Sequence, residues 1–191
     1  MSPLDGGQRA ALLAVAHRAL ARALGLPEGP GAAPAAPSGP RAGVFVAWSV
    51  DGEGRGSFGA IAPAAELEDE VAAQAVRAAL EDPRVPSITA AEAPRARCTV
   101  GLAGPARPVS GPGEIDPRRD GLSVVNGAHA AVLLPGAAAA QGWDAETYLK
   151  HACLRAGLRA DAAGLPGTRV LAFEVVEVSD DPAAAAPAPG P

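Results

Sequence analysis

About half of the apolar residues in this 191-residue chain are alanine, and that limits what it can fold into more than any motif does. A core scales with the large apolar side chains available to it, and alanine contributes only a methyl group. The expectation is one compact domain with modest packing. No apolar run approaches the roughly 18 residues that a membrane-spanning helix needs, and the amino terminus lacks the basic patch and unbroken apolar stretch of a signal peptide. The sequence therefore reads as soluble and cytoplasmic, without a membrane partner. Its 16 basic and 21 acidic side chains leave a net charge of -5. That balance disfavours nucleic acid, whose phosphates call for a basic stripe.

Two cysteines, Cys98 and Cys153, stand far apart with no CxxC pair and no cluster of ligands around them. They read as reduced structural thiols, and no metal or cofactor is expected. Lys150 is the only lysine, so mechanisms that demand one have little to draw on.

Ser2 and Pro3 offer an N-cap and a first helical position, and Leu12, Leu13, Ala16, Leu20 and Leu24 recur at helical spacing up to Gly25. The spacing predicts an amphipathic helix within 1–26. Residues 27–41 are almost wholly Gly, Ala, Pro and Ser, a composition with nothing periodic to bury, and read as a flexible linker. The Ala/Pro segment 180–191 reads as a disordered tail, leaving 42–179 as the main domain.

Within that domain, β-branched and aromatic residues from Val44 to Val50, the dipeptide Asp51-Gly52, and an extended stretch from Arg55 to Ile61 predict a β-hairpin. A helix is expected from about Ala64 to Leu80, its first turn crowded by Glu66, Glu68, Asp69 and Glu70 as a solvated start. Asp82-Pro83 stops it. Ala96, Cys98, Val100 and Leu102 alternate with Arg97, Thr99 and Gly101 as in a strand with one buried face. A Pro/Gly-rich loop follows from Pro105 to Pro117. Leu122–Val125 and His129–Leu134 flank Asn126-Gly127, a tight-turn dipeptide. Asp144 can cap a helix ending near Gly157, and Thr168–Val178 reads as a last strand. Hairpins with helices between them define an α+β class with a largely antiparallel sheet and packed helices.

The segment Gly54-Arg55-Gly56-Ser57-Phe58-Gly59 fits both GxGxxG and the glycine-rich loop of kinases. A dinucleotide site needs a helix at the second glycine, and Pro63 leaves it no room. A kinase needs a lysine on the next strand with HRD and DFG tripeptides, which are missing. Ser57 is not in a GxSxG elbow, because Arg55 stands where the motif's first glycine belongs. His151 and Cys153, two apart on a helix, point to different faces and make a poor metal pair, and His17 and His129 have no neighbouring ligands. Arg55 is the residue with most to offer. Glycines on both sides allow a ligand close to the backbone, and the guanidinium presents a planar fork to a carboxylate or phosphate.

The order of these segments resembles the AMMECR domain family, found in microbes as component A of AmmeMemoRadiSam systems. That family's core reads roughly GVFV, DGE, LRGCIG, DPRFPPL, GLLLPQ, GWD and a C-x-KAGL helix end. Here Gly43 to Val46, Asp51-Gly52-Glu53, Gly54 to Gly59, Asp82 to Pro86, Ala131 to Pro135, Gly142-Trp143-Asp144 and Cys153 to Leu158 stand in the same order. The resemblance implies a larger and a smaller lobe with a cleft between them, and company with Memo-like and radical S-adenosylmethionine proteins. It implies no particular reaction. Ser57 stands where the family signature has cysteine, so a thiolate nucleophile or soft metal ligand is lost there. Gly54, Phe58 and Gly136 also depart from the family pattern.

The leading expectation is a cleft near Arg55, Gly56, Ser57, Phe58 and Gly59 that holds a small anionic ligand or an acidic partner segment, with Asp82 and Arg84 beside it. Two alternatives stay open. One is a hydrolase or transferase in which Ser57 is the catalytic nucleophile, activated by a base from elsewhere in the fold. The other is a scaffold for Memo-like or radical S-adenosylmethionine proteins.

Overall fold

A computed structural model describes residues 4–27, 43–61 and 65–180. The expected linker at 27–41 and tail at 180–191 fall almost wholly outside them, as do Ser2, Pro3 and Ala64. The described residues divide into two compact units, one formed by those within 4–102 together with 176–180 and a smaller one formed by 103–175.

In the larger unit, helix α1 (Gly6–Ala23) begins at Asp5 rather than Ser2. The Asp5 carboxylate accepts from the Gln8 amide at 2.8 Å, and the Gln8 side chain accepts from the Asp5 amide at 3.0 Å. This reciprocal cap satisfies two otherwise orphaned donors and carries two poor helix formers, Gly6 and Gly7, into the first turn. Strands β1 (Gly43–Val50) and β2 (Glu53–Ala60) form the expected hairpin. Asp51 (φ 54°) and Gly52 (φ 85°) take the paired positive angles that match the twist of the strands. Helix α2 (Leu67–Leu80) packs on both strands and on α1, and the indole N–H of Trp48 donates to the Ala75 carbonyl at 2.9 Å. Buried alanines on the two helices, Ala11, Ala16, Ala75, Ala78 and Ala79, let the backbones approach closely. The acidic first turn of α2 is exposed except at Glu70, which is buried and accepts from Gln74 at 2.7 Å. Strand β3 (Ala96–Ala103) buries Ala96, Cys98, Val100 and Leu102, as the alternation requires.

The smaller unit contains β4 (Arg107–Pro108), β5 (Asp120–Asn126), β6 (His129–Leu133), α3 (Pro135–Gln141), α4 (Ala145–Arg155) and most of β7 (Arg169–Ser179). Asn126 pairs with His129, so the turn residues are Gly127 and Ala128, one place later than the dipeptide suggested; Gly127 alone takes the positive angle, φ 58°. Asp144 caps α4 as expected, accepting from the Thr147 amide at 2.8 Å. Helix α3 was not expected: its Gly-Ala-Ala-Ala-Ala core has no large apolar residue to set a period. Pro135 at its first position and Gly142 (φ 64°) just past its end mark it instead. The loop over 105–117 includes β4 and is tied down by buried Asp120, which accepts from Arg107 at 2.7 Å and from the Asp116 amide at 2.9 Å.

Strand order through the seven-stranded sheet is β2-β1-β3-β7-β5-β6, with β4 on β7. The pairings β1–β2, β4–β7, β5–β6 and β5–β7 are antiparallel. This is the α+β, largely antiparallel architecture the sequence predicts. Apolar side chains gather in two clusters: one includes Leu12, Val46, Trp48, Val71 and Val100, the other Leu122, Val124, Tyr148 and Ala172. Among the described residues, no helix is long and apolar enough to cross a membrane.

Candidate functional site

The site residues expected from sequence all belong to the larger unit, on β2 and on the turn that follows α2. The β1–β2 register runs Ala47 to Ser57 and then Ser49 to Gly54. Trp48 alone therefore faces both Arg55 and Gly56, which is a β-bulge, a device that breaks the period-two alternation and re-aims side chains. Gly56 makes this bulge possible. Its φ is 121°, and a Cβ there would stand 2.0 Å from the Ala78 carbonyl oxygen of α2.

α2 ends just beyond that contact, and Asp82 folds back beneath the strand. Its side chain is only 3% exposed. One carboxylate oxygen accepts from the Ser57 amide at 2.9 Å, and Arg84 engages both oxygens side-on, Nε to Oδ1 at 2.8 Å and Nη2 to Oδ2 at 2.5 Å. The Arg84 backbone amide adds a bond at 3.1 Å. Arg84 first of all, with the two amides, holds the Asp82 carboxyl well below the usual carboxylate range, against burial, which acts the other way. Arg84 Nη2 also donates to Ser57, to the hydroxyl at 2.9 Å and the carbonyl at 3.2 Å. Ser57, Asp82 and Arg84 thus form one unit.

Arg55 lies in a second one. Its Nη2 donates to Glu92 Oε1 at 2.5 Å, with both side chains 20% exposed. The other Glu92 oxygen accepts from the Thr89 amide at 2.9 Å and the Thr89 hydroxyl at 2.7 Å. Thr89, ahead of Arg55, lowers the Glu92 carboxyl from its ordinary 4.5 to about 2. Phe58 carries the Arg77 guanidinium over its ring at 4.1 Å, and Gly59 leaves room for the Phe45 ring, which a Cβ would meet at 2.1 Å.

Sequence reasoning named Arg55, Gly56, Ser57, Phe58, Gly59, Asp82 and Arg84, and the structure brings Ser57, Asp82 and Arg84 into contact. It missed Thr89, Glu92 and Arg77. The run Thr89-Ala90-Ala91-Glu92 has the T-x-x-E form of a capping box, a signal that could have located the first two.

The arrangement fixes what these groups can do. Ser57 is exposed, but its hydroxyl accepts from a guanidinium, the reverse of the bond that activates a nucleophile. The histidines are engaged elsewhere: His17 Nε2 lies 2.6 Å from Asp180, His129 Nδ1 3.3 Å from the Ala156 carbonyl, and His151 stacks on Trp143 at 3.9 Å. Both cysteines are buried, and burial pushes both thiols up, Cys98 most strongly. They are poor nucleophiles.

Helices around a largely antiparallel sheet, with a bulged glycine strand tied to an Asp-Pro-Arg turn, define the class as an α+β protein whose polar groups at this strand are locked in ion pairs. The comparisons with known proteins specify it further. The chain belongs to the AMMECR1 family, whose model matches residues 11–178. A protein from Methanothermobacter thermautotrophicus is 35% identical over 147 residues, covering 74% of this chain and 77% of that one. Another from Thermococcus gammatolerans is 36% identical over 124 residues, 62% of this chain and 60% of the relative. The match thus spans about 60% of the length of that curated relative. The crystal structure of an uncharacterised protein from Pyrococcus horikoshii superposes with a TM-score of 0.80 at 27% identity, covering 91% of this chain and 92% of that one.

Proposed function

We propose that this chain is a binding domain that holds a small anionic ligand, or an acidic segment of a partner protein, at the edge formed by Arg55, Ser57 and Arg84. One observation carries the reading. The Arg84 side chain is 50% exposed, yet buried Asp82 fixes it in place, with the Ser57 hydroxyl 2.9 Å from Nη2. Asp82 takes the Nε and Nη2 edge; Nη1 remains for a ligand. A guanidinium fixed in advance loses little freedom on binding, and the two N–H groups of Nη1 can donate to the oxygens of a carboxylate or phosphate. An acidic segment on a Memo-like or radical S-adenosylmethionine protein would use the same donors. The bonding of Ser57 lends no support to a serine-dependent hydrolase or transferase.

The test is an NMR titration of the full chain with inorganic phosphate, acetate and triglutamate, following the Ser57 amide and Arg84 Nε signals. Both signals should move and saturate together with at least one probe. Arg84→Lys, which keeps a charge for Asp82 but loses the fork, should weaken that binding by about tenfold, or roughly 1.4 kcal/mol. Signals that stay fixed through every titration would overturn the reading.

A further inference from the structure

Arg84 and Arg55 each pair with a carboxylate, and the same edge of each guanidinium is used differently. In Arg84, Nε and Nη2 are both filled by the two oxygens of Asp82, at 2.8 and 2.5 Å. In Arg55, Nη2 is filled by a single oxygen of Glu92 at 2.5 Å, while Nε is buried with no hydrogen-bond partner among the described residues. Buried donors in folded proteins are nearly always paired, so an orphaned one calls for an explanation. Glu92 cannot supply the missing bond where it stands. Its second oxygen is held by the Thr89 amide and hydroxyl at 2.9 and 2.7 Å, and turning it to Nε would abandon both donors.

We infer that Arg55 is a carboxylate fork which Glu92 keeps half-filled, and that a ligand's carboxylate displaces Glu92 and takes Nε and Nη2 together. This rests on reading β2 as the ligand surface and names the ligand class for its Arg55 end. The bulge at Arg55 and Gly56 supplies the re-aiming that a side chain directed at a ligand requires. A displaced Glu92 stays tethered through the backbone nearby and keeps its charge, so one guanidinium faces two anions once the ligand is seated. That balance favours a monoanionic carboxylate over doubly charged phosphate. Because Glu92 competes for Nη2, the apparent affinity of the intact protein is lowered by the fraction of time the fork is occupied.

The experiment titrates acetate and, separately, inorganic phosphate at matched ionic strength into the full chain and its Glu92→Gln variant, reading the Arg55 Nε NMR signal. Acetate should shift that signal in both proteins and saturate at about tenfold lower concentration in Glu92→Gln, with phosphate the weaker probe. Arg55→Lys, which keeps the charge and has no fork, should lose the acetate response at the Thr89 amide that accompanies release of Glu92. If Glu92→Gln fails to fold, wild type against Arg55→Lys decides the matter alone. An Arg55 Nε signal that ignores acetate in every folded protein overturns the inference and assigns Nε to water. Tighter binding of phosphate overturns the carboxylate assignment. Movement of Arg84 Nε and the Ser57 amide with a silent Arg55 overturns this inference while the proposed function stands; silence at all three sites overturns both.

Discussion

Gly56 and Gly54 lie two places apart on the same strand, and their surroundings assign them opposite tolerance. A methyl group on Gly56 would meet the Ala78 carbonyl at 2.0 Å, and the oxygen belongs to a helix backbone that cannot give way, at a φ of 121° that L residues rarely adopt. Gly56→Ala should therefore cost about 3 kcal/mol or more in urea denaturation, at the high end of single substitutions. Gly54→Ala, with open space around its Cβ, should stay within about 0.5 kcal/mol of wild type. Equal costs would show that the bulge does not seat on α2 as described. Arg55, Ser57, Asp82 and Arg84 could be named as candidates from residue type, from the glycines that flank Arg55 and from the family resemblance. The pairing of Arg55 with Glu92 was not legible, because 37 positions separate them and no local pattern carries a tertiary contact.

The elements show where local signals suffice. Both hairpins are legible from their turns: Asp51-Gly52 follows the β-branched and aromatic run of β1 and precedes an extended, glycine-rich stretch, and the glycine after Asn126 supplies the positive angle. Asp144 was legible as a cap for the same reason, since a carboxylate before a helical run has an amide to accept from. Asp144→Ala removes the 2.8 Å bond to Thr147 and should lower the denaturant midpoint, with Asp144→Asn recovering most of the loss. Equal losses in the two variants would mean that the carboxylate acts by charge on α4 rather than by capping. One helix start and one whole helix escaped for physical reasons. The start of α1 depends on a reciprocal bond between Asp5 and Gln8, which outweighs the unfavourable Gly6-Gly7, and α3 has only alanines where a period would be read.

For the molecule as a whole, alanine content pointed to one modest core, and the described residues form two smaller ones, each closed by small residues that let elements come near. With so little large apolar surface, the buried and half-buried carboxylate pairs of the larger unit matter more to its stability. Asp82 and Glu92 both have folded-state pKa values below their ordinary ones. A depressed carboxylate binds fewer protons when folded than when unfolded, so its contribution is complete above the unfolded value and is lost as pH falls through the folded one. For Glu92 that window runs from 4.5 down to about 2; for Asp82 it begins at 3.8 and extends lower still. Urea midpoints for the full chain should therefore hold steady from about pH 7 to 5 and then decline steeply toward pH 2. Glu92→Gln should be less stable than wild type at neutral pH, with a shallower decline over the upper part of that window, because it has no proton to take up there. Parallel acid slopes in the two proteins would mean that Glu92 keeps its ordinary affinity for protons in the fold, and that the hydrogen bonds from Thr89 and Arg55 do not hold its charge.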